Sequence, residues 1–321
     1  MMPKNTKIQI LRAVAIIAVV LIHTCKGGYY QVFCRPFINF AVALFIFLSG
    51  YLTKLDNHDW VKFYIRRIGR VLIPYIIWTI LYTLPSTNVK EYIFNLATTQ
   101  ATPTLYYVFV YIQFVILTPL LGRLAKSKYY WIGFVVAPLS ILCYKYPIIM
   151  FDLQPKGYIN LLWEVSCLGW FTYYYLGLLL GNRIIIRSYN IKSLVLLYFA
   201  SILLQMLEAY TMFYFDIPNC GSQLKISTLL TSTLFLLMAY SYINNSDSKT
   251  ENKLLLYIGD CSFGIYLIHI MVIHCLSRFC SLYGYLPFVV NSMLVLAIST
   301  VLVSMGKRLC GKRVSRWVGL E

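Results

Sequence analysis

The sequence predicts an all-α, polytopic membrane protein of about ten transmembrane helices, with both termini cytoplasmic. Three observations predict it. Only 12% of the 321 residues are charged, while 60% are apolar with Tyr and Cys included. Soluble domains carry about a quarter charged residues, and half that share cannot cover a water-soluble surface. So much apolar area also excludes a disordered chain. Next, long apolar runs recur, each near the roughly 20 residues needed to span a bilayer at about 1.5 Å per residue. Finally, the basic residues fall preferentially on alternate connections between those runs.

The spans follow in order. The first, 8–25, has Lys4 and Lys7 ahead of it, as a secretory signal would. Arg12 interrupts the run, His23 sits near its end and no small-x-small cleavage site follows, so it reads as a retained helix. The second, 37–54, ends Phe47-Leu48-Ser49-Gly50-Tyr51, where Gly50 permits close backbone approach. The third, 71–87, follows an arginine-rich loop. The fourth and fifth, 104–122 and 129–145, hold Pro119 and Pro138, which membrane helices tolerate near ends and kinks. The sixth, 164–182, carries Tyr175-Leu176-Gly177-Leu178-Leu179-Leu180-Gly181. The remaining spans are 193–210, 224–243, 256–276 and 286–306, and Asp260 or Ser262 is expected to cap the ninth. No internal repeat, low-complexity tract or long linker appears. The expectation is one membrane domain over 1–321, without a fused soluble domain.

The formal charge of +17 comes from 28 Lys and Arg against 11 Asp and Glu. With the N-terminus inside, Lys26, Arg35, Lys90, Lys145, Lys156, Lys225 and Arg278 fall outside, and all other basic residues fall inside. The inner set includes Lys4, Arg187 and Lys249. That asymmetry satisfies the positive-inside rule, so the charge needs no nucleic acid to explain it. Nine cysteines contain no Cys-x-x-Cys pair, and no metal site is expected. Most read as small buried residues. Cys25, Cys34, Cys220 and Cys280 fall near the outer face, where a disulfide is allowed but not implied.

Ionisable groups inside a membrane are costly and mark function. Arg12 and His23 are eleven residues apart, about three helical turns, so they share a face roughly 16 Å apart along the axis. A snorkelling anchor and a satisfied core histidine are the competing reading. The stretch Phe63-Tyr64-Ile65-Arg66-Arg67-Ile68-Gly69-Arg70 places three guanidiniums at the mouth of the third span. Guanidinium binds phosphate in bidentate fashion, although lipid-headgroup anchoring would use the same charge. Ser262-Phe263-Gly264-Ile265-Tyr266-Leu267-Ile268-His269 sets an imidazole near mid-membrane, where a proton-handling role suits it. Glu164, Glu208 and Asp216 lie at or near outer helix ends, and Trp163 and Trp170 flank Glu164. Glu164 is the best outer-face candidate for a sugar contact. His58 and His274 receive no role.

Taken together and in order, Arg12-x10-His23, Phe47–Tyr51, Arg67-x-x-Arg70 with Pro74, Tyr175–Gly181 and Ser262–His269 resemble the acyltransferase type 3 family of bacterial integral-membrane O-acyltransferases. The resemblance spans nearly the whole chain. Two departures stand out. The fourth span opens Thr104-Leu105-Tyr106-Tyr107 rather than with a His-Leu-Trp-like motif. The fused extracytoplasmic hydrolase-like domain of many relatives has no counterpart here.

The resemblance implies an acyl-CoA donor in the cytoplasm, usually acetyl-CoA, used as a substrate rather than held permanently. It implies a hydroxyl of a surface glycan or glycolipid as acceptor, and a place in the inner, cytoplasmic membrane. On that reading Arg66, Arg67 and Arg70 grip the phosphates and Arg12 lies just inside the inner mouth. His23 serves as general base. His269 is a weaker catalytic candidate that orients the acceptor or stabilises the oxyanion. Direct transfer and a covalent acyl-enzyme both stay open, as do acetyl and longer donors such as succinyl. A transporter or flippase of a lipid-linked glycan is the alternative. No inverted repeat or pair of broken helices supports it. A structural or sensory component would leave the Arg12–His23 register unexplained.

Overall fold

The computed structural model describes residues 5–25, 27–56, 59–84, 88–151, 157–185, 189–245, 252–280, 283 and 286–320. Lys4, Lys26, His58, Lys156, Arg187 and Lys249 lie outside the described residues. Among the described residues every regular element is helical. In chain order these are α1 (Thr6–Thr24), α2 (Gly28–Phe33), α3 (Phe40–Tyr51), α4 (Trp60–Thr83), α5 (Val89–Thr98) and α6 (Tyr106–Ala125). Then come α7 (Val136–Ser140), α8 (Tyr146–Met150), α9 (Gly157–Glu164), α10 (Phe171–Gly181) and α11 (Ile191–Tyr214). The last four are α12 (Ile226–Asn244), α13 (Lys253–Phe279), α14 (Phe288–Leu309) and α15 (Gly311–Trp317).

Asparagine and aspartate open many of these helices. Asn5, Asp59, Asn88 and Asn190 each accept a bond from a first-turn amide, the ordinary remedy for orphan N–H groups. Asn252 does the same for α13, accepting from Leu254 and Leu255. The expected caps Asp260 and Ser262 therefore lie well inside α13. Asn252 supplies an earlier cap, and nothing in Lys253–Gly259 breaks a helix.

Seven helical stretches among the described residues are long and apolar enough to cross a membrane: Thr6–Thr24, Gly28–Tyr51, Tyr106–Ala125, Ile191–Tyr214, Ile226–Asn244, Lys253–Phe279 and Phe288–Leu309. The other three expected spans take different forms. As far as Thr83, the run 71–87 is the second half of the 24-residue α4, whose first half carries Lys62, Arg66, Arg67 and Arg70; residues 85–87 lie outside the described residues. The run 129–145 is broken into a 3-10 stretch over Tyr130–Phe134, then α7, then a π-turn over Ile141–Lys145, with α8 following. Pro138 and Pro147 cannot donate to the preceding turn. The run 164–182 reduces to a 3-10 turn over Leu168–Trp170 and the 11-residue α10. Among the described residues, α2, α5, α8, α9 and α15 appear outside the expected spans. α5 docks on α4 through the Tyr75 hydroxyl, which donates to Leu96 O, and through Asn95 Nδ2, which donates to Thr83 Oγ1. α9 is a short amphipathic turn that ends at Glu164.

The chain forms two compact units. The first comprises 1–55, 119–155 and 168–259, and the second 56–118, 156–167 and 260–321. At the heart of the first unit, α3 and α10 approach through glycines. A Cβ on Gly50 would collide with the Tyr174 carbonyl, one on Gly177 with the Phe47 carbonyl, and one on Gly181 with the Tyr51 carbonyl. Every residue of α10 from Phe171 to Leu180 is buried. Small residues four apart let helix backbones meet where lipid offers no hydrophobic drive. α1 packs on α3, α11 packs on α12, and Val32, Ala209, Met212 and Cys220 form a small core between α2 and α11.

In the second unit, tyrosines tie the helices together. The Tyr82 hydroxyl donates to Leu267 O and accepts from the Met271 N–H, clamping α4 to α13. The Tyr266 hydroxyl donates to Thr104 O just ahead of α6. Gln113 Nε2 donates to Val165 O, and its Oε1 accepts from the Cys167 N–H, which anchors the end of α9.

Candidate functional site

The sequence-predicted residues divide between the two units. Arg12 and His23 lie in the first, and Arg66, Arg67, Arg70, Glu164 and His269 in the second.

In the first unit, α1 carries Arg12 and His23 on one half-buried face, with His23 in its last turn. Immediately beside His23, the Ile22 carbonyl accepts from Arg35 Nη1 at 2.8 Å. Arg35 Nε donates to Gly221 O at 3.2 Å, and Asn39 Nδ2 donates to the same carbonyl. The Gly221 N–H donates to Gln31 Oε1. Lys225, only 1% exposed, donates from Nζ to Cys220 O at 2.7 Å. The turn Cys220–Gly221 is thus a hub that holds the end of α1. Sequence reasoning counted Arg35 and Lys225 only as outer charges. Their signal was a basic residue set directly against an apolar run.

The two glycine motifs, Phe47–Tyr51 and Tyr175–Gly181, meet each other across the α3–α10 contact. Of the two helices that carry them, α3 packs in turn against α1.

In the second unit, all three arginines lie within α4, about two to three turns after Asp59 caps it. They do not share one environment. Arg67 is half-buried on the stripe that runs Phe63, Arg67, Pro74, Trp78, and its Cζ lies 5.7 Å from the Phe63 ring centroid. Arg66 and Arg70 are exposed. Pro74, inside the helix, withdraws the donor that the Arg70 carbonyl would otherwise receive.

His269 is fully buried, and its Nδ1 lies 2.8 Å from Tyr266 O and 3.0 Å from Ile265 O. Carbonyls only accept, so Nδ1 bears a proton, and in the neutral imidazole Nε2 then holds the lone pair. The Tyr82 clamp on Leu267 and Met271 holds this stretch of α13 from both sides of the imidazole. Sequence reasoning did not find Tyr82, one tyrosine among 28.

Glu164 is exposed at the end of α9. Glu208, in the first unit, is the more organised carboxylate. It accepts from the Tyr146 hydroxyl and from both the hydroxyl and the N–H of Ser227. It borders a cavity of about 360 Å³ lined otherwise by Tyr146, Leu204, Leu207, Thr211, Met212 and Ile217.

The described residues form a helical, multi-pass membrane protein, with seven stretches long and apolar enough to cross a bilayer. Residues 5–306 match the acyltransferase type 3 family, described as "Acyltransferase domain", and the chain belongs to that family. No curated protein and no solved structure matches it.

Proposed function

We propose that this membrane acyltransferase moves an acyl group, acetyl in the first instance, from cytoplasmic acyl-CoA to a hydroxyl of a surface glycan or glycolipid. Its proposed home is the inner membrane of a bacterial envelope. The observation that carries the donor assignment is Arg67 on the inward stripe of α4. A headgroup anchor needs only an exposed charge, whereas a half-buried guanidinium over an aromatic ring is pre-set for planar recognition. Arg67 and Arg70 take the coenzyme A phosphates, with Arg66 as a further cation on α4; Arg12 on α1 is separately proposed as a donor-binding cation. Glu164 is the proposed sugar contact.

His23 is the proposed general base. Its imidazole takes the proton of the acceptor hydroxyl as that oxygen bonds to the thioester carbonyl carbon. The C–S bond breaks, and the coenzyme A thiolate recovers a proton from the imidazolium. His269, with Nδ1 committed to backbone carbonyls, offers Nε2 to orient the acceptor. The test is donor dependence. Protein purified in detergent should release coenzyme A from labelled acetyl-CoA and pass label to envelope glycan. Absence of both would favour the flippase. Mass spectrometry of surface glycans from a deletion strain and its parent should show a lost acyl mass.

A further inference from the structure

Residues 307–321 lie beyond the family match, yet part of that segment is buried against family motifs. α15 ends in a motif that reverses the chain. The Gly319 N–H donates to Arg316 O, the Leu320 N–H donates to Ser315 O at 2.8 Å, and Gly319 has φ +77°. This is the Schellman arrangement, which favours glycine at the left-handed position. The reversal carries Leu320 back into the second unit, where it is 6% exposed.

What Leu320 meets is specific. Its Cα and Val303 crowd the site where Gly264 lacks a Cβ, and its Cδ1 occupies the space beside Gly306. A Cβ on Gly319 would stand 2.7 Å from Leu267 Cδ1 and 2.9 Å from both Phe263 and Pro74. Trp78 Nε1 donates to Val318 O at 2.9 Å. Val318–Leu320 therefore touches α4 at Pro74 and Trp78, and α13 at Phe263, Gly264 and Leu267. Pro74 and Trp78 continue the stripe of Arg67, and Phe263–Leu267 leads directly into His269.

We infer that Val318–Leu320 is a positioning segment of the donor site, joining the arginine-bearing face of α4 to the Ser262–His269 stretch of α13. The inference rests on the donor reading above. A wedge that contacts both helices sets their spacing, and small misplacements of binding groups are costly. The segment touches no reacting atom in this account; it acts through Arg67 and Arg70.

The test uses the full chain in detergent, titrated with coenzyme A, with unfolding temperature and hydrogen exchange measured alongside. Gly319→Ala meets both the positive φ and the three close neighbours. It should weaken coenzyme A binding about tenfold and raise the KM for acetyl-CoA while leaving kcat within about twofold. Exchange should quicken in 70–82 and 262–271. Trp78→Phe removes one hydrogen bond and keeps the packing, so a smaller weakening in the same direction is expected. Gly157→Ala, with nothing within 4 Å, should match wild type. Unchanged affinity in Gly319→Ala, with exchange showing the segment released, would overturn the inference. Should that variant fail to fold, unchanged affinity in Trp78→Phe overturns it. The donor reading stands in either case so long as Arg67→Lys binds more weakly. If Arg67→Lys and wild type bind alike, the donor reading fails and this inference falls with it.

Discussion

Gly177 on α10 lies directly against the backbone carbonyl of Phe47 on α3, with no room between them for a Cβ. The contact joins two motifs that stand more than a hundred residues apart in the chain. Clashes of this kind predict that neither Gly50 nor Gly177 tolerates a larger residue. Gly177→Ala must push two helix backbones apart, and overpacking of this kind costs about 1–3 kcal/mol. The expected result is a lowered unfolding temperature in detergent, with no selective change in the KM for donor. A wild-type melting curve would contradict the close approach.

His23→Ala should lose transfer by about 10²–10⁴-fold, the usual contribution of a positioned base, while still inserting and binding coenzyme A. Turnover assays at matched membrane levels check this. Near-normal turnover would remove His23 from the mechanism.

His269 calls for a substitution that keeps its local hydrogen bond. Asn presents a side-chain donor near the position of Nδ1, so His269→Asn should keep the bond to the Tyr266 carbonyl and preserve folding. It lacks Nε2. Transfer should fall about tenfold if Nε2 orients the acceptor, with less loss than in His23→Ala. Full activity in His269→Asn would assign the imidazole a packing role only.

Arg67→Lys keeps the charge and loses the planar fork. The expected outcome is an apparent KM for acyl-CoA raised about tenfold, equivalent to roughly 1.4 kcal/mol of binding, with topology unchanged. Arg70→Lys should act in the same direction. An anchoring role predicts wild-type values for both, and titration with coenzyme A separates the two.

The expected topology puts the start of α4 in the cytoplasm. Val61 is 69% exposed there. A cysteine at this position, in a background without the native cysteines, should resist an impermeant maleimide in intact cells and react after permeabilisation. Labelling of intact cells would place the arginines away from a cytoplasmic donor.

The sequence by itself determined the membrane class, because the ratio of apolar to charged residues is a property of composition that no folding can change. It also determined the Arg12–His23 register, since two residues three turns apart share a face on any straight helix. Span boundaries were less legible. Hydropathy reports how apolar a run is, and it cannot tell a lipid-facing helix from one buried by protein, as with α10. Only the tertiary structure decided which motifs meet. Gly50 meets the Tyr174 carbonyl and Gly177 the Phe47 carbonyl through backbone approach across helices, and Arg67 separates from Arg66 and Arg70 by being half-buried where they are exposed. The wedge of Val318–Leu320 likewise depends on glycines and side chains of separate helices that a linear pattern does not bring together, whereas the His269 Nδ1 bonds are local, to carbonyls three and four residues back on its own helix.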